Sequence, residues 1–335
     1  ASALVQDRIG ANRAGIPLFG ANIALNGLIN TLLGDPLKFL TKEDVIPKGA
    51  DRLLHFLAPC VNLFPALVTF AVIPFGDVLV IGDRQINLQV APLDVGVLFV
   101  LAMASLGVYG VVLGGWASNN RWSLLGGIRG SAQMISYEIA MGLSLVAMVM
   151  TYGTLDLQGM ARAQGGTIGG WLPAWGIFYQ PLAFLIFLTA GIAESKRVPF
   201  DLPESESELI SGYFTEYSGA KHLIFFMTDF VEVIIVPGMC ATLFFGGWQV
   251  PFLMRDGFHL PGGSIVALPS LLVTVLQLAS FAVKVVLLCW FQIMLRWTLP
   301  RFRYDQLMRL GWKNMLPLAL VNVILTGVFI LWREG

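Results

Sequence analysis

Apolar positions gather in seven long stretches, near residues 56–75, 92–116, 130–152, 175–193, 222–248, 268–295 and 314–332. A hydrocarbon core of about 30 Å takes roughly 20 apolar residues as a helix, and each stretch comes close to or exceeds that length. Runs with no charged residue at all cover 95–120, 163–193, 233–254 and 314–332. Strands of a membrane barrel would instead alternate in polarity over about ten residues. The pattern predicts an all-α fold, a polytopic transmembrane bundle with seven visible spans in 53–335, preceded by a cytoplasmic segment over 1–52.

Within that first segment a different periodicity emerges. Leu25, Leu28, Ile29, Leu32 and Leu33 share one helical face, opposite Asn22, Asn26 and Asn30. An amphipathic helix over 22–40, too short to span and ending near Pro36, is expected. It either lies in the membrane interface or packs on the cytoplasmic ends of the spans.

The charges fix the sidedness. Seven spans put sixteen Lys and Arg on the side of the N-terminus and four on the other, with Lys284 inside a span. Cytoplasmic loops carry the basic excess, so the N-terminus faces the cytoplasm or matrix. Trp116, Trp171, Trp175, Trp248, Trp297, Trp312 and Trp332 fall near span ends, where indole rings favour the interface.

Composition narrows the class further. Of 335 residues 56% are hydrophobic and only 13% charged, against about 25% charged in soluble domains. The balance of 21 basic and 21 acidic residues excludes a nucleic-acid-binding protein of the basic kind. Cys60, Cys240 and Cys289 stand apart, and His55, His222 and His259 lie near segment ends, so no metal, iron–sulfur or haem site is expected in this chain. The glycine run 165–170 follows no strand and is a poor phosphate cradle. Gly110 and Gly114 fit close helix packing better.

Ionisable residues within the spans need a reason, since each costs at least ~2.5–3.5 kcal/mol in a bilayer. They are Glu138, Asp229, Glu232 and Lys284, with Asp94 at a span edge. Asp229 and Glu232 lie one turn apart on one helical face. Lys284 paired with an acid would merely fix packing, but one cation cannot neutralise three carboxylates. At least two must be protonated, hydrated or paired with another subunit, which favours proton handling. The loop 194–218 is the second anomaly. Glu194, Asp201, Glu204, Glu206, Glu208 and Glu216 stand on the side that should be basic, interleaved with Val198, Phe200, Leu202, Leu209, Ile210, Tyr213 and Phe214. A solvated acidic loop would not need these apolar residues. They point to a segment folded into a cavity or under a partner, as a proton uptake region or a docking surface.

The run Glu194-Ser195-Lys196-Arg197-Val198-Pro199-Phe200-Asp201-Leu202-Pro203-Glu204, followed by Gly212-Tyr213 and Glu216-Tyr217-Ser218-Gly219, resembles the signature of the H-type (chain 1) membrane-subunit family of proton-pumping NADH:quinone oxidoreductase, respiratory complex I. Further matches are Ser131-Ala132-Gln133 to Ser136-Tyr137-Glu138, Ser118-Asn119-Asn120, 299–308 with Trp312-Lys313, and Gly10 and Asn12 with Thr41-Lys42-Glu43. The resemblance covers essentially the whole chain. The family has eight spans, and the absent one is the first, together with a Glu-Arg pair just before the position of Leu4. The chain opens on Ala1 with no signal-peptide pattern, so either the protein is truncated here or the first helix is absent. The segment 14–33 is longer than the family's spacing, and Asp229 stands where the family often has Glu.

The resemblance implies a membrane subunit of a translocase that forms much of a quinone chamber and holds no redox centre. Quinone is the substrate, and FMN and iron–sulfur clusters belong to partner subunits. Glu138, Glu194 and Asp229 would couple quinone reduction to proton movement. Arg8, Asp35, Lys38, Arg197, Asp201, Glu204, Glu206, Glu208 and Glu216 match charged positions near the chamber. The implied partners are the hydrophilic quinone-site and iron–sulfur subunits, the small adjacent membrane subunits and the lipid bilayer. The implied location is an energy-coupling inner membrane, bacterial in preference to mitochondrial. A membrane anchor of a related energy-converting hydrogenase and a stand-alone proton-coupled transporter are the other readings. The full loop block disfavours the first, and the lack of an inverted repeat disfavours the second.

Overall fold

The structure is a computed structural model that describes residues 2–9, 15–18, 21–24, 34–81, 84–254, 257–259 and 265–334. Its helices in chain order are α1 (Ser2–Val5), α2 (Asp35–Thr41), α3 (Arg52–Thr69), α4 (Gly96–Ala117), α5 (Arg121–Tyr152), α6 (Leu157–Ala163), α7 (Gly176–Tyr179), α8 (Pro181–Glu194), α9 (Glu206–Leu209), α10 (Gly219–Phe244), α11 (Ser270–Thr298), α12 (Tyr304–Arg309) and α13 (Leu316–Glu334). Among the described residues short strands pair as antiparallel hairpins: β1 (Gly15–Leu18) with β2 (Ala21–Ala24), β3 (Val78–Ile81) with β4 (Arg84–Asn87), and β5 (Thr167–Ile168) with β6 (Leu172–Pro173). A three-stranded group joins β7 (Leu253–Met254), β8 (Gly257–His259) and β9 (Ile265–Ala267).

Among the described residues six helical segments are long and apolar enough to cross a membrane. The seventh predicted span is interrupted. Its main helix, α8, has 14 residues, or roughly 21 Å, and is separated from α7 by the non-helical Gln180 ahead of Pro181. The break leaves Gln180 free to bond sideways. Its amide donates to Thr151 and Thr326 hydroxyls, and its carbonyl accepts from Asn322.

Local chemistry sets the helix ends. Asp51 accepts from the backbone N–H of Leu53 and Leu54 to start α3, and Asn120 accepts from that of Trp122 to start α5. Gly153, at φ 67°, closes α5. The chain ends then sort by side. Asp51 N–H bonds Ala117 O, Val45 N–H bonds Ser218 Oγ, and Phe302 N–H bonds Pro199 O, so the predicted cytoplasmic loops meet one another. On the opposite face Arg162 pairs with Asp77 at 2.8 Å, and Val97 N–H bonds Leu155 O. This grouping matches the distribution of basic residues. As the Gly110 spacing suggested, helices approach closely there: a Cβ on Gly110 would sit 2.7 Å from the Asn62 backbone.

Two sequence expectations need correction. The N-terminal amphipathic helix does not begin at Asn22, because 21–24 pair as β2 with β1, Ile23 opposite Ile16. Residues 25–33, with Leu25, Leu28, Ile29, Leu32 and Leu33, lie outside the described residues, as do Gly10 and Asn12. Pro36 opens α2 rather than ending a helix, since a residue without an N–H is tolerated in the first turn.

The second correction concerns Lys284. Among the described residues it pairs with no carboxylate. It donates instead to three backbone carbonyls, Phe245 at 2.7 Å, Gly247 at 2.9 Å and Gln249 at 2.6 Å, and lies over the Trp175 ring. These carbonyls belong to the cap residue of α10 and the turn that follows it, where no helical N–H reaches them, and a lysine from α11 satisfies all three. Lys284→Met is expected to lower the amount of assembled protein several-fold, because hydrogen bonds to a charged group contribute about 1.5–3 kcal/mol. Turnover per assembled complex should stay near normal. Normal assembly in membranes would contradict this clamp.

Candidate functional site

The conspicuous sequence motifs converge on one place. Gln133 of α5 donates its amide to Ala193 O and Phe200 O, fastening the 195–218 loop to the bundle. Tyr137 OH donates to Leu307 O, and Trp312 Nε1 donates to Ser136 Oγ, which brings in the 299–313 segment. Phe200 stacks on Phe302 and tilts against Tyr137. The loop is therefore covered by this chain itself: Phe200, Leu202, Ser205, Leu209 and Tyr213 are all buried. Its apolar residues explain why an acidic segment can fold inward.

Below the loop, α3, α4, α5, α8 and α10 line a partly open apolar cavity of about 60 Å³, bordered in part by Asn62, Thr69, Glu194 and Glu232. Among the described residues, neither polar atom of the buried Asn62 side chain has a hydrogen-bond partner. A cavity of this size holds a few waters, and Asn62 and the carboxyls are the partners such waters need. Glu138, on α5, accepts a hydrogen bond from Ser105 of α4 and lies within electrostatic reach of Glu194.

Between loop and cavity sits a buried ionic group. Lys196 Nζ is 3.2 Å from Asp229 Oδ1 and 3.6 Å from Glu232 Oε2, with its side chain fully enclosed. Burial opposes the ammonium, yet Glu232, Tyr213 and Asp229 together hold its pKa well above the usual lysine range. Glu204 interacts with Asp229, and burial followed by the Asp229 charge pushes the Glu204 carboxyl well above the ordinary range. Burial pushes Asp201 up to about 6, with the Arg301 guanidinium at 2.8 Å pulling the other way. Arg197 lies 4.5 Å over the Phe230 ring.

The structure thus brings Glu138, Glu194 and Asp229 together with Arg197, Asp201 and Glu204. The remaining predicted residues lie apart. Glu208 pairs with Arg129 at 2.8 Å on the exposed side. Glu216 accepts from Asn120 at 2.6 Å beside a polar cleft formed with Pro47, Gly49 and Ser118. Arg8 is exposed and bonds Gln6, and Lys38 is exposed on α2. Asp35 begins α2 and Glu206 begins α9, and their side chains lie outside what is described.

Sequence reasoning missed Lys196, Ser105, Arg301 and Asn62 as parts of the site. Lys196 counted as a surface charge, although its place between Glu194 and the apolar Val198-Pro199-Phe200 was a signal of burial. Ser105 and Asn62 carry no such signal.

Comparisons with known proteins establish the family of the chain. The family described as NADH dehydrogenase matches residues 1–327. An H-type NADH-quinone oxidoreductase subunit of Cytophaga hutchinsonii is 47% identical over 330 residues, covering 98% of this chain and 89% of the relative. Its counterpart in Geobacter sulfurreducens is 48% identical over 325 residues, 97% of this chain and 87% of the relative. That of Thermomicrobium roseum is 46% identical over 338 residues, 99% and 89% respectively. These matches span nearly the whole chain, and the chain belongs to the NADH dehydrogenase family, together with the H subunits of NADH-quinone oxidoreductases that it resembles.

Proposed function

We propose that this chain forms much of the quinone-access chamber of a proton-translocating NADH:quinone oxidoreductase and couples quinone reduction to proton movement through its buried acids. In this reading FMN and iron–sulfur clusters sit in partner subunits, quinone arrives from the bilayer of a bacterial inner membrane, and this chain contributes no redox centre. The observation that carries the reading is the unbroken series of ionisable groups from the loop into the bundle: Asp201, Glu204, Asp229, Lys196, Glu232 and Glu194, with Glu138 beyond. A reduced quinone bearing negative charge beside Asp201 and Glu204 acts on them through a poorly screened interior. Their displaced protonation then changes the charge felt at Asp229, Glu232 and Glu194 in turn. Glu204→Gln is expected to lower NADH:quinone turnover per assembled complex at least fivefold, while NADH oxidation with a water-soluble artificial acceptor stays unchanged. Equal turnover with quinone would remove the loop from the reaction.

Asp201 supplies a pH signature. With its carboxyl at about 6, it is ionised and paired with Arg301 at neutral pH and loses that charge as pH falls through that value. Arg301 favours the charged form, so Arg301→Gln raises the Asp201 pKa. The acid limb of quinone reductase activity is expected to move upward by roughly one pH unit. A pH–rate profile that keeps its acid limb in place would show that Asp201 does not set it.

A further inference from the structure

Lys196 occupies a position that a packing role does not require. Its two partners are one turn apart on α10 but belong to different surroundings. Asp229 interacts with Glu204 of the loop, whereas Glu232 lines the cavity together with Glu194. The ammonium stands between them at 3.2 and 3.6 Å, with the Tyr213 ring at 5.8 Å. An ion pair that only held α8 to α10 would need one carboxylate. Lys196 also adopts a left-handed backbone, φ 53°, which residues with a Cβ rarely take and which clusters at functional sites. A compact ammonium on a flexible four-carbon stem is suited to change partner within a small space, where a planar guanidinium is not.

We propose that Lys196 is a positioning residue for proton transfer, whose ammonium selects which of Asp229 and Glu232 carries negative charge and so relays the state of the loop to the cavity. When the ammonium moves toward Glu232, Asp229 loses its counter-charge and becomes the better base. The O–H bond on the Glu204 carboxyl breaks and one forms on Asp229; Lys196 keeps its protons, and the net charge of the group is unchanged. The reverse movement returns the proton to Glu204 and leaves Glu232 without its cation, so that, relayed by cavity water, the O–H bond on the Glu194 carboxyl breaks and one forms on Glu232, again with no change in net charge. The groups facing the ammonium are Asp229 and Glu232 from α10, Tyr213 from the turn at 212–214 and Glu194 from the end of α8, while Glu204 of the loop acts on Asp229 and Arg197 acts on Glu204 and Glu232.

This inference rests on the coupling function proposed above, and its test separates the two. Membrane vesicles carrying the assembled complex report protons translocated per quinone reduced, a ratio that a packing role leaves alone. The double variant Lys196→Gln/Glu232→Gln removes the ammonium together with its cavity-side partner and leaves Asp229 to share a proton with Glu204. Its ratio is expected to fall at least twofold, with the quinone KM within twofold of normal. Should the double variant not assemble, Glu232→Gln leaves Lys196 paired with Asp229 and deletes only the cavity-side partner, and its ratio is expected to fall likewise. A normal ratio in whichever of these variants assembles overturns the role of Lys196. Glu194→Gln is the control. If it lowers quinone turnover and proton uptake per assembled complex while the Lys196 variants keep a normal ratio, only the relay fails; if it leaves turnover and uptake both at normal values, the coupling function fails with it.

Discussion

Glu194→Gln is expected to reduce both quinone reduction and proton uptake per assembled complex by at least tenfold, with the complex still assembling. Glu194 ends α8 where the loop begins, lines the cavity, and lies within electrostatic reach of Glu232, Glu138 and Lys196. Glutamine keeps the shape and the hydrogen-bonding oxygen but cannot exchange a proton. A tenfold loss corresponds to about 1.4 kcal/mol of barrier, well within what one misplaced charge in a poorly hydrated interior supplies. Glu138→Gln tests the same function one step deeper. Its side-chain oxygen can still accept from Ser105, so the contact between α4 and α5 survives while the titratable group is lost. Activity and proton uptake, measured against the quantity of complex in vesicles, decide between coupling and packing. Full turnover and full uptake in assembled Glu194→Gln or Glu138→Gln would leave these acids as packing groups only.

Gly212→Ala should have the opposite signature, a loss of assembled complex rather than of turnover. Gly212 sits at φ +62°, and a Cβ there would overlap the carbonyl oxygen of Pro203. The left-handed backbone alone costs a residue with a Cβ roughly 1–2 kcal/mol. The overlap with a carbonyl, which cannot rotate away as a flexible side chain would, adds more. The loop would have to lift off Gly126, whose own Cβ position is only 2.7 Å from Tyr213 N, and Tyr213 would leave the ring of contacts around Lys196. Native gels of solubilised membranes should show the complex nearly absent, and any loop that does assemble should be cut faster by protease. Wild-type quantities of Gly212→Ala complex would show that the loop does not depend on this close approach.

Much of the architecture was legible in the residues because the bilayer leaves few choices. Backbone groups without water must bond within their own segment, so each apolar stretch of about 20 residues has to be a helix. The same physics singled out Glu138, Asp229 and Glu232, since a charge in that setting calls for a partner. The loop's mixture of acids and aromatic residues likewise announced that it folds inward. The break at Gln180 and the hairpin at 15–24 were not legible: Gln180 sits in a run with no other interruption than Pro181, and the Asn residues near 22 fit a helical face as well as a strand.

The pairing of charges was decided by tertiary structure alone. Lys284 stands alone in an apolar span, which made it the candidate partner in a packing role for the buried acids, whereas Lys196 stands next to Arg197 on the basic side. In the fold, Lys284 reaches the open carbonyls at the end of α10, and Lys196 turns inward to Asp229 and Glu232. Hydropathy depends on each residue's own transfer free energy and is summed along the chain, so it yields spans, sidedness and the list of anomalous charges. Which cation meets which carboxylate depends on distances between segments far apart in sequence, and those exist only once the helices have packed.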